Sequence, residues 1–208
     1  MRVELRGPAG VLEHMLEEPK GRAPKAAVVF AHPLPTEGGT MHTKAVFQGS
    51  KGLSRIGCAV LRFNFRGVGR SEGTFDAGRG EKHDFAAALD LMAARYPGTP
   101  LWAAGFSFGS YVALETGAVD PRVSALIGIA PPVARPDYDF AKTRVSTKPK
   151  FFVQGSEDEL CALEDMWAFY GKLPEPKELV VIDDADHLFT GQAKEVGEAL
   201  EELLGDFE

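Results

Sequence analysis

Short apolar runs alternate along the chain with longer segments in which apolar residues recur at helical spacing. Short apolar runs bounded by polar or glycine-containing segments are typical of strands buried on both faces of a sheet. They predict strands at residues 27–31, 58–63, 101–104, 125–130, 151–154 and 179–182. The first 20 residues, through segments 2–5 and 11–16, predict an antiparallel pair on one edge.

Helical periodicity fills most of the segments between these runs. Phe85, Leu89, Met92 and Tyr96 recur at i, i+4, i+7 and i+11, which is the apolar stripe of an amphipathic helix. A second stripe near the C-terminus comprises Phe189, Ala193, Val196, Leu200 and Leu203. Weaker helical signals lie in residues 43–56, 111–118 and 160–172. The alternation predicts an α/β fold, a three-layer α/β/α sandwich with a mostly parallel sheet.

Composition limits the kind of protein. With 208 residues and 44% hydrophobic residues, the chain is expected to form a single domain over residues 1–208. A net charge of −7 without a long basic run indicates neither a nucleic-acid partner nor an anionic membrane surface. Two cysteines that form no CxxC motif, and the lack of a secretory or membrane-spanning apolar segment, favour a cytoplasmic location. The sequence does not exclude a single disulfide between Cys58 and Cys161.

One serine follows a predicted strand and opens a predicted helix. Ser107 is the centre of Gly105-Phe106-Ser107-Phe108-Gly109, the pattern of a nucleophile elbow, in which a tight turn holds the hydroxyl at a helix N-terminus. The same pattern surrounds Ser71, but that serine leads into polar, glycine-rich sequence, so context favours Ser107. The alternative for Ser107 is an ordinary helix N-cap.

A base and an acid for this serine follow two later strands. His187 comes after residues 179–182 and before the last helix, and an imidazole there could take the serine proton. Asp158 follows residues 151–154 and could hold the imidazole. Since carboxyl ends of parallel strands meet at one edge, all three side chains are expected there.

Other interpretations of these residues stay open. His187 could be a surface histidine that caps the final helix. The competing acids are Glu157, Asp183, Asp184 and Asp186. The three aspartates beside His187 could also be metal ligands, but strand alternation points neighbours to opposite faces and no second histidine stands at ligand spacing, so no metal and no cofactor is predicted.

Backbone N–H groups are predicted to stabilise the oxyanion of an acyl-transfer reaction. Phe108, directly after the serine, supplies one N–H at the start of the helix. The second should come from the loop after residues 27–31, where Pro33 and Pro35 have no N–H. Leu34 is therefore the predicted second donor.

With these residues in view, the chain resembles the α/β-hydrolase superfamily, particularly small lidless bacterial hydrolases related to dienelactone hydrolases. Residues 31–110 carry most of the resemblance, in segments 32–42, 61–73, 80–81 and 105–109, and segments 155–158 and 186–187 carry the rest. The chain order Ser107, Asp158, His187 is also that of the superfamily. The resemblance implies an eight-stranded, mostly parallel sheet and a Ser107/Asp158/His187 catalytic triad.

The predicted site has a shallow mouth. About twenty residues, 131–149, separate the fourth and fifth central strands, where many relatives insert a lid. Apolar lining is expected from Phe106, Phe108, Val133, Leu188 and Phe189, with His32 also at the site. The chain is therefore expected to cleave short-chain, neutral carboxylic esters through an acyl-enzyme, with a small-molecule ester as its partner.

Two other functions remain open from sequence. The same triad could act on a thioester, lactone or small amide, since the tetrahedral chemistry is shared. A catalytically silent hydrolase fold that binds a partner or ligand is the alternative from a different class. No oligomeric state is predicted.

Overall fold

The computed structural model describes residues 4–207. Its nine strands are β1 (Leu5–Gly7), β2 (Gly10–Leu12), β3 (His14–Glu17), β4 (Ala27–Ala31), β5 (Ala59–Phe63), β6 (Leu101–Phe106), β7 (Val123–Ile129), β8 (Lys150–Gly155) and β9 (Lys177–Ile182). Its helices are α1 (Lys44–Arg55), α2 (Arg79–Arg95), α3 (Phe108–Val119), α4 (Ala141–Val145), α5 (Leu163–Tyr170) and α6 (Ala193–Leu204), with a 3₁₀ turn at Pro35–Glu37.

The main sheet has the strand order β3-β5-β4-β6-β7-β8-β9. Every neighbouring pair is parallel except β3 with β5, in which His14 lies opposite Phe63. The α/β architecture with a mostly parallel sheet is therefore confirmed. The order reverses at β4 and β6, so the carboxyl ends of the central strands form one crevice.

The N-terminal strands differ from the prediction. β1 and β2 form a separate two-stranded hairpin, so the main sheet of the described residues has seven strands rather than about eight. The hairpin packs Leu5 and Leu12 into the same apolar cluster as Phe85 of α2, which buries its apolar side without extending the sheet. Of these three N-terminal strands, only β3 joins the main sheet, as the edge strand next to β5. Residues 2 and 3 of the predicted first segment lie outside the described part of the chain.

Helices cover both faces of the sheet. On one face, α1 and α6 pack with Val28, Phe30 and Trp102; on the other, α2, α3 and α5 pack with Val29 and Ala103. Successive strand residues thus alternate between two apolar clusters, which explains why the central strands are apolar throughout.

Three elements differ from what the periodicity of the sequence predicts. Leu179 to Val181 of β9 are only half-buried, because β9 is the last strand of the sheet and has a neighbour on one side alone. The C-terminal helix begins after Gln192 and not at Phe189, whose φ of 53° places it in a turn. The five-residue α4 is too short to show helical periodicity and was not predicted.

The described residues also settle two smaller questions. Cys58 and Cys161 are both free and buried, so the possible disulfide is absent from this part of the chain. None of the described helices is long and apolar enough to cross a membrane.

Candidate active site

Ser107 lies on the turn between β6 and α3. Its φ of 53° and ψ of −122° belong to a region that side-chain-bearing residues rarely adopt. A Cβ on Gly105 would lie 2.1 Å from the carbonyl oxygen of Gly109, and a Cβ on Gly109 would lie 2.4 Å from that of His32. The two glycines are thus required by close backbone approach on both sides of the serine, as the elbow pattern predicts.

The second serine in a matching pattern has a different role. The Ser71 hydroxyl donates to the carbonyl oxygen of Asn64 at 2.7 Å and accepts from the N–H of Glu13 at 2.9 Å. It therefore joins two backbone segments, which agrees with its exclusion on sequence context.

Ser107, His187 and Asp158 form a hydrogen-bonded row. His187 Nε2 lies 2.8 Å from Ser107 Oγ, and His187 Nδ1 lies 2.8 Å from Asp158 Oδ2. A carboxylate only accepts, so Nδ1 carries the hydrogen and Nε2 is left to accept the serine proton. All three residues are at most 9% exposed. The row has the bond pattern of a serine nucleophile, its base and the acid that orients the base.

Asp158 is held from several sides. Its Oδ1 accepts hydrogen bonds from the backbone N–H groups of Leu160 and Cys161, both at 2.9 Å. Its Oδ2 accepts from His187 and from Gln154 Nε2, the latter at 2.9 Å. The competing acids lie elsewhere: Asp183 and Asp184 are exposed, as is Glu157, and Asp186 accepts from the N–H of Thr190.

Sequence reasoning missed Gln154. It follows the apolar residues 151–153 near the end of β8, four positions before the acid. A buried polar side chain at that spacing is the signal that could have identified it.

Two predicted substrate contacts lie behind the imidazole. Phe106 packs against the ring of His187 with centroids 5.6 Å apart, and Phe189 packs against Phe106 at 6.0 Å. Both phenylalanines are fully buried, because β6 points Phe106 into the core between the sheet and α6. The prediction that they line the mouth is corrected: they support the imidazole.

His32 is also a correction. Its Nε2 accepts from the N–H of Phe65 at 3.0 Å, and its Nδ1 donates to the carbonyl oxygen of Pro33 at 2.7 Å. Burial lowers the pKa of His32 to about 4, which keeps the ring neutral. With no exposed surface and both nitrogens engaged, His32 joins the loops after β4 and β5 and has no atom free for a substrate.

The other predicted apolar residues differ in exposure. Leu188, next to the imidazole, is 59% exposed, and Val133 is half-buried. Phe108 is buried and packs edge-on against Phe75 at 5.8 Å, with Tyr138 tilted against it at 5.9 Å. Leu188 and Val133 thus keep surface that a ligand could contact, whereas Phe108 is largely covered by its neighbours.

The two predicted oxyanion donors are available. Within residues 4–207, neither the N–H of Leu34 nor that of Phe108 donates a hydrogen bond. The tight approach of Gly109 to the carbonyl oxygens of Ala31 and His32 places the loop after β4 against the start of α3. Both N–H groups therefore belong to segments that meet at the serine.

The described residues hold no group of three or more histidine, cysteine, aspartate or glutamate side chains that could bind a metal ion. Two surface grooves, of about 740 and 490 Å³, lie along β3 and beside the β1–β2 hairpin. Neither groove is lined by Ser107, Asp158 or His187.

A serine on a strand-to-helix turn, followed along a doubly wound sheet by an aspartate and then a histidine, is the arrangement of the α/β hydrolases. Residues 22–145 match the family described as serine aminopeptidase, S33. The chain belongs to this family of hydrolases.

Individual relatives agree with this assignment over nearly the whole chain. An α/β serine hydrolase homologue from Coxiella burnetii is 39% identical with a TM-score of 0.90, covering 97% of this chain and 96% of that one. An α/β serine hydrolase without a lid from Xanthomonas campestris is 35% identical with a TM-score of 0.87, covering 96% and 91%. An uncharacterised protein of Rickettsia prowazekii is 33% identical over 211 residues, covering 98% of this chain and 88% of its own.

Proposed function

We propose that the protein is a serine hydrolase that cleaves short-chain, neutral carboxylic esters through an acyl-enzyme intermediate. The observation that carries this proposal is the hydrogen-bonded row from Ser107 Oγ through the imidazole of His187 to Asp158. A serine hydroxyl is too weak a nucleophile near neutral pH unless a base accepts its proton as the bond to the carbonyl forms.

In the proposed reaction, Ser107 Oγ attacks the ester carbonyl while His187 Nε2 takes its proton. The N–H groups of Phe108 and Leu34 donate to the oxygen that becomes negative in the tetrahedral intermediate. The intermediate collapses as His187 returns the proton to the departing alkoxide, which leaves as an alcohol. Water then attacks the acyl-enzyme with the same base and releases the acid and free Ser107.

The surroundings of the row support a small, neutral substrate. The segment between β7 and β8 contains only the five-residue α4, which is too short for a helical lid domain. Exposed carboxylates on three loops, Glu37, Asp137, Asp139 and Glu157, disfavour an anionic substrate. The two free cysteines support a reducing compartment, and we expect the protein to act in the cytoplasm.

The family description favours a second candidate, hydrolysis of a small amide such as an aminoacyl amide, by the same residues. Amides differ from esters in the leaving group, which His187 would have to protonate before it departs.

The test is a series of p-nitrophenyl esters with acetyl, butyryl and decanoyl groups, compared with an alanine p-nitroanilide. The proposal predicts that kcat/KM is highest for acetate or butyrate and lower by about tenfold or more for decanoate, because a shallow mouth leaves most of a long chain in water. Ser107→Ala serves as the matched control for spontaneous hydrolysis. A steep rise towards decanoate contradicts the short-chain proposal, and faster turnover of the anilide favours the amide.

A further inference from the structure

Gln154 is buried directly beneath the acid of the proposed triad. It is the penultimate residue of β8 and is fully inaccessible to solvent. Its Nε2 donates to Asp158 Oδ2 at 2.9 Å and to the carbonyl oxygen of Cys161 at 3.0 Å. One amide nitrogen thus contacts both the carboxylate and the loop that carries it.

The orientation of this amide follows from its acceptors. A carboxylate oxygen and a carbonyl oxygen can only accept, so the NH₂ group of Gln154 must face both of them. Its Oε1 is consequently directed elsewhere, and in the described chain this buried oxygen has no hydrogen-bond partner. A buried carbonyl without a partner costs free energy and calls for an explanation, and here the NH₂ group of the same amide bonds to Asp158 and Cys161.

We propose that Gln154 is a positioning residue for catalysis, which acts through Asp158 and does not touch the substrate. This inference rests on the proposed function. Asp158 has four acceptor sites, and the N–H groups of Leu160 and Cys161, Gln154 Nε2 and His187 Nδ1 fill them. Because the last two share Oδ2, the Gln154 bond fixes the oxygen that orients the imidazole. Without it, His187 is the one remaining partner of Oδ2 among the described residues, so that oxygen is held less firmly in the position that aligns His187 with Ser107.

The first test replaces the amide by an apolar side chain of similar length. Gln154→Met should lower kcat by about 10- to 100-fold with KM within about twofold of wild type, a loss of the size found when the hydrogen-bond partner that orients a metal ligand is removed. Ser54→Ala is the matched control, because Ser54 in α1 also carries a buried oxygen without a partner in the described chain but lies outside the proposed site. It should leave kcat unchanged.

The second test distinguishes positioning from a purely structural role. In Gln154→Glu, the introduced carboxyl touches Asp158, and two carboxyl groups in contact share one proton at low pH since both cannot ionise freely. The shared proton restores a donor to Asp158. The kcat of Gln154→Glu relative to wild type should therefore rise by about tenfold between about pH 9 and pH 6, while the ratio for Gln154→Met stays flat.

Three outcomes overturn the inference: Gln154→Met with kcat within about twofold of wild type, equal losses in Gln154→Met and Ser54→Ala, or a Gln154→Glu ratio that does not change with pH. Assays of the wild-type enzyme distinguish these three outcomes from failure of the proposed function. If wild type neither hydrolyses the esters nor reacts at Ser107 with a fluorophosphonate, the proposed function fails and this inference fails with it. If wild type does both, the variants decide on Gln154 alone.

Discussion

At the scale of residues, the site depends on a strained serine. Ser107 has a positive φ, and a non-glycine residue in such a region costs about 1–3 kcal/mol unless its surroundings impose it. Here the N–H of Ser107 bonds to the carbonyl oxygen of Ile129 at 2.9 Å, and Gly105 and Gly109 allow the backbones to approach. The turn holds the hydroxyl of Ser107 clear of the sheet, within hydrogen-bond distance of His187 Nε2.

Asp158, which bonds to the imidazole in the fold, and Asp184, which is near it only in sequence, provide a direct comparison of two acids. Asp158→Asn should lower kcat by about 10³- to 10⁴-fold, because an amide offers one acceptor oxygen where the carboxylate offers two. Its NH₂ group would face either the donors at Leu160 and Cys161 or His187 Nδ1. Asp184→Asn should stay within about twofold of wild type, since Asp184 is exposed in a turn with φ of 58° that asparagine tolerates.

The measurement is kcat for p-nitrophenyl acetate, with circular dichroism to show that both variants are folded. The opposite ranking, in which Asp184→Asn is inactive and Asp158→Asn is not, would show that the acid lies on the loop after β9 and not on the loop after β8.

Residue-scale prediction from sequence worked where the chemistry is local. The glycine pattern around Ser107 is a property of one turn, so a single segment contains the whole signal. His32, Phe106 and Gln154 were missed or misassigned because their roles depend on which way a side chain points after folding. His32 bonds to Phe65 and Phe106 packs on His187, contacts between segments far apart in sequence.

At the scale of elements, the central strands were the most predictable part. β4 has the predicted bounds, and no end of β5 to β8 differs from its predicted position by more than two residues. Strands buried on both faces must be apolar throughout, which produces a strong signal. An antiparallel pair was predicted in the first 20 residues, but its segments and its place on the sheet edge differ from the β1–β2 hairpin. Helix α4 was not predicted, because a five-residue element is too short for a period to repeat.

The loops after β4 and β5 are joined by the neutral ring of His32, and this connection makes stability depend on pH. The unfolded chain protonates this histidine near pH 6.5, whereas the folded protein does so only near pH 4. Below pH 6.5 the unfolded state therefore binds more protons, and the free energy of unfolding decreases as pH falls towards 4, by about 3 kcal/mol over the full range.

Urea unfolding at about pH 7.5 and pH 5 measures this effect. Between these two pH values, the free energy of unfolding of wild type should fall by about 2 kcal/mol more than that of His32→Gln, because the glutamine amide does not titrate. Equal losses in the two proteins would show that His32 does not remain neutral on folding.

At the scale of the whole molecule, the parallel sheet brings distant segments to one edge. Ser107, Asp158 and His187 follow β6, β8 and β9, strands that lie on the same side of the reversal at β4 and β6. The resemblance of the sequence to α/β hydrolases anticipated this arrangement. The sequence pattern says less about substrate size. Loop residues such as Leu188 and Val133 follow no helical or strand period, so the pattern does not show which of them face a ligand.

The central claim is that His187 and Asp158 make Ser107 a nucleophile, and covalent labelling tests it most directly. Wild-type protein treated with a fluorophosphonate should gain one phosphonyl group, mapped by mass spectrometry to Ser107. Ser107→Ala should gain none, and His187→Ala should react slower by several orders of magnitude because the row acts as a unit. Absence of labelling in folded wild type, or equal labelling of Ser107→Ala, would contradict the claim and favour a silent hydrolase fold.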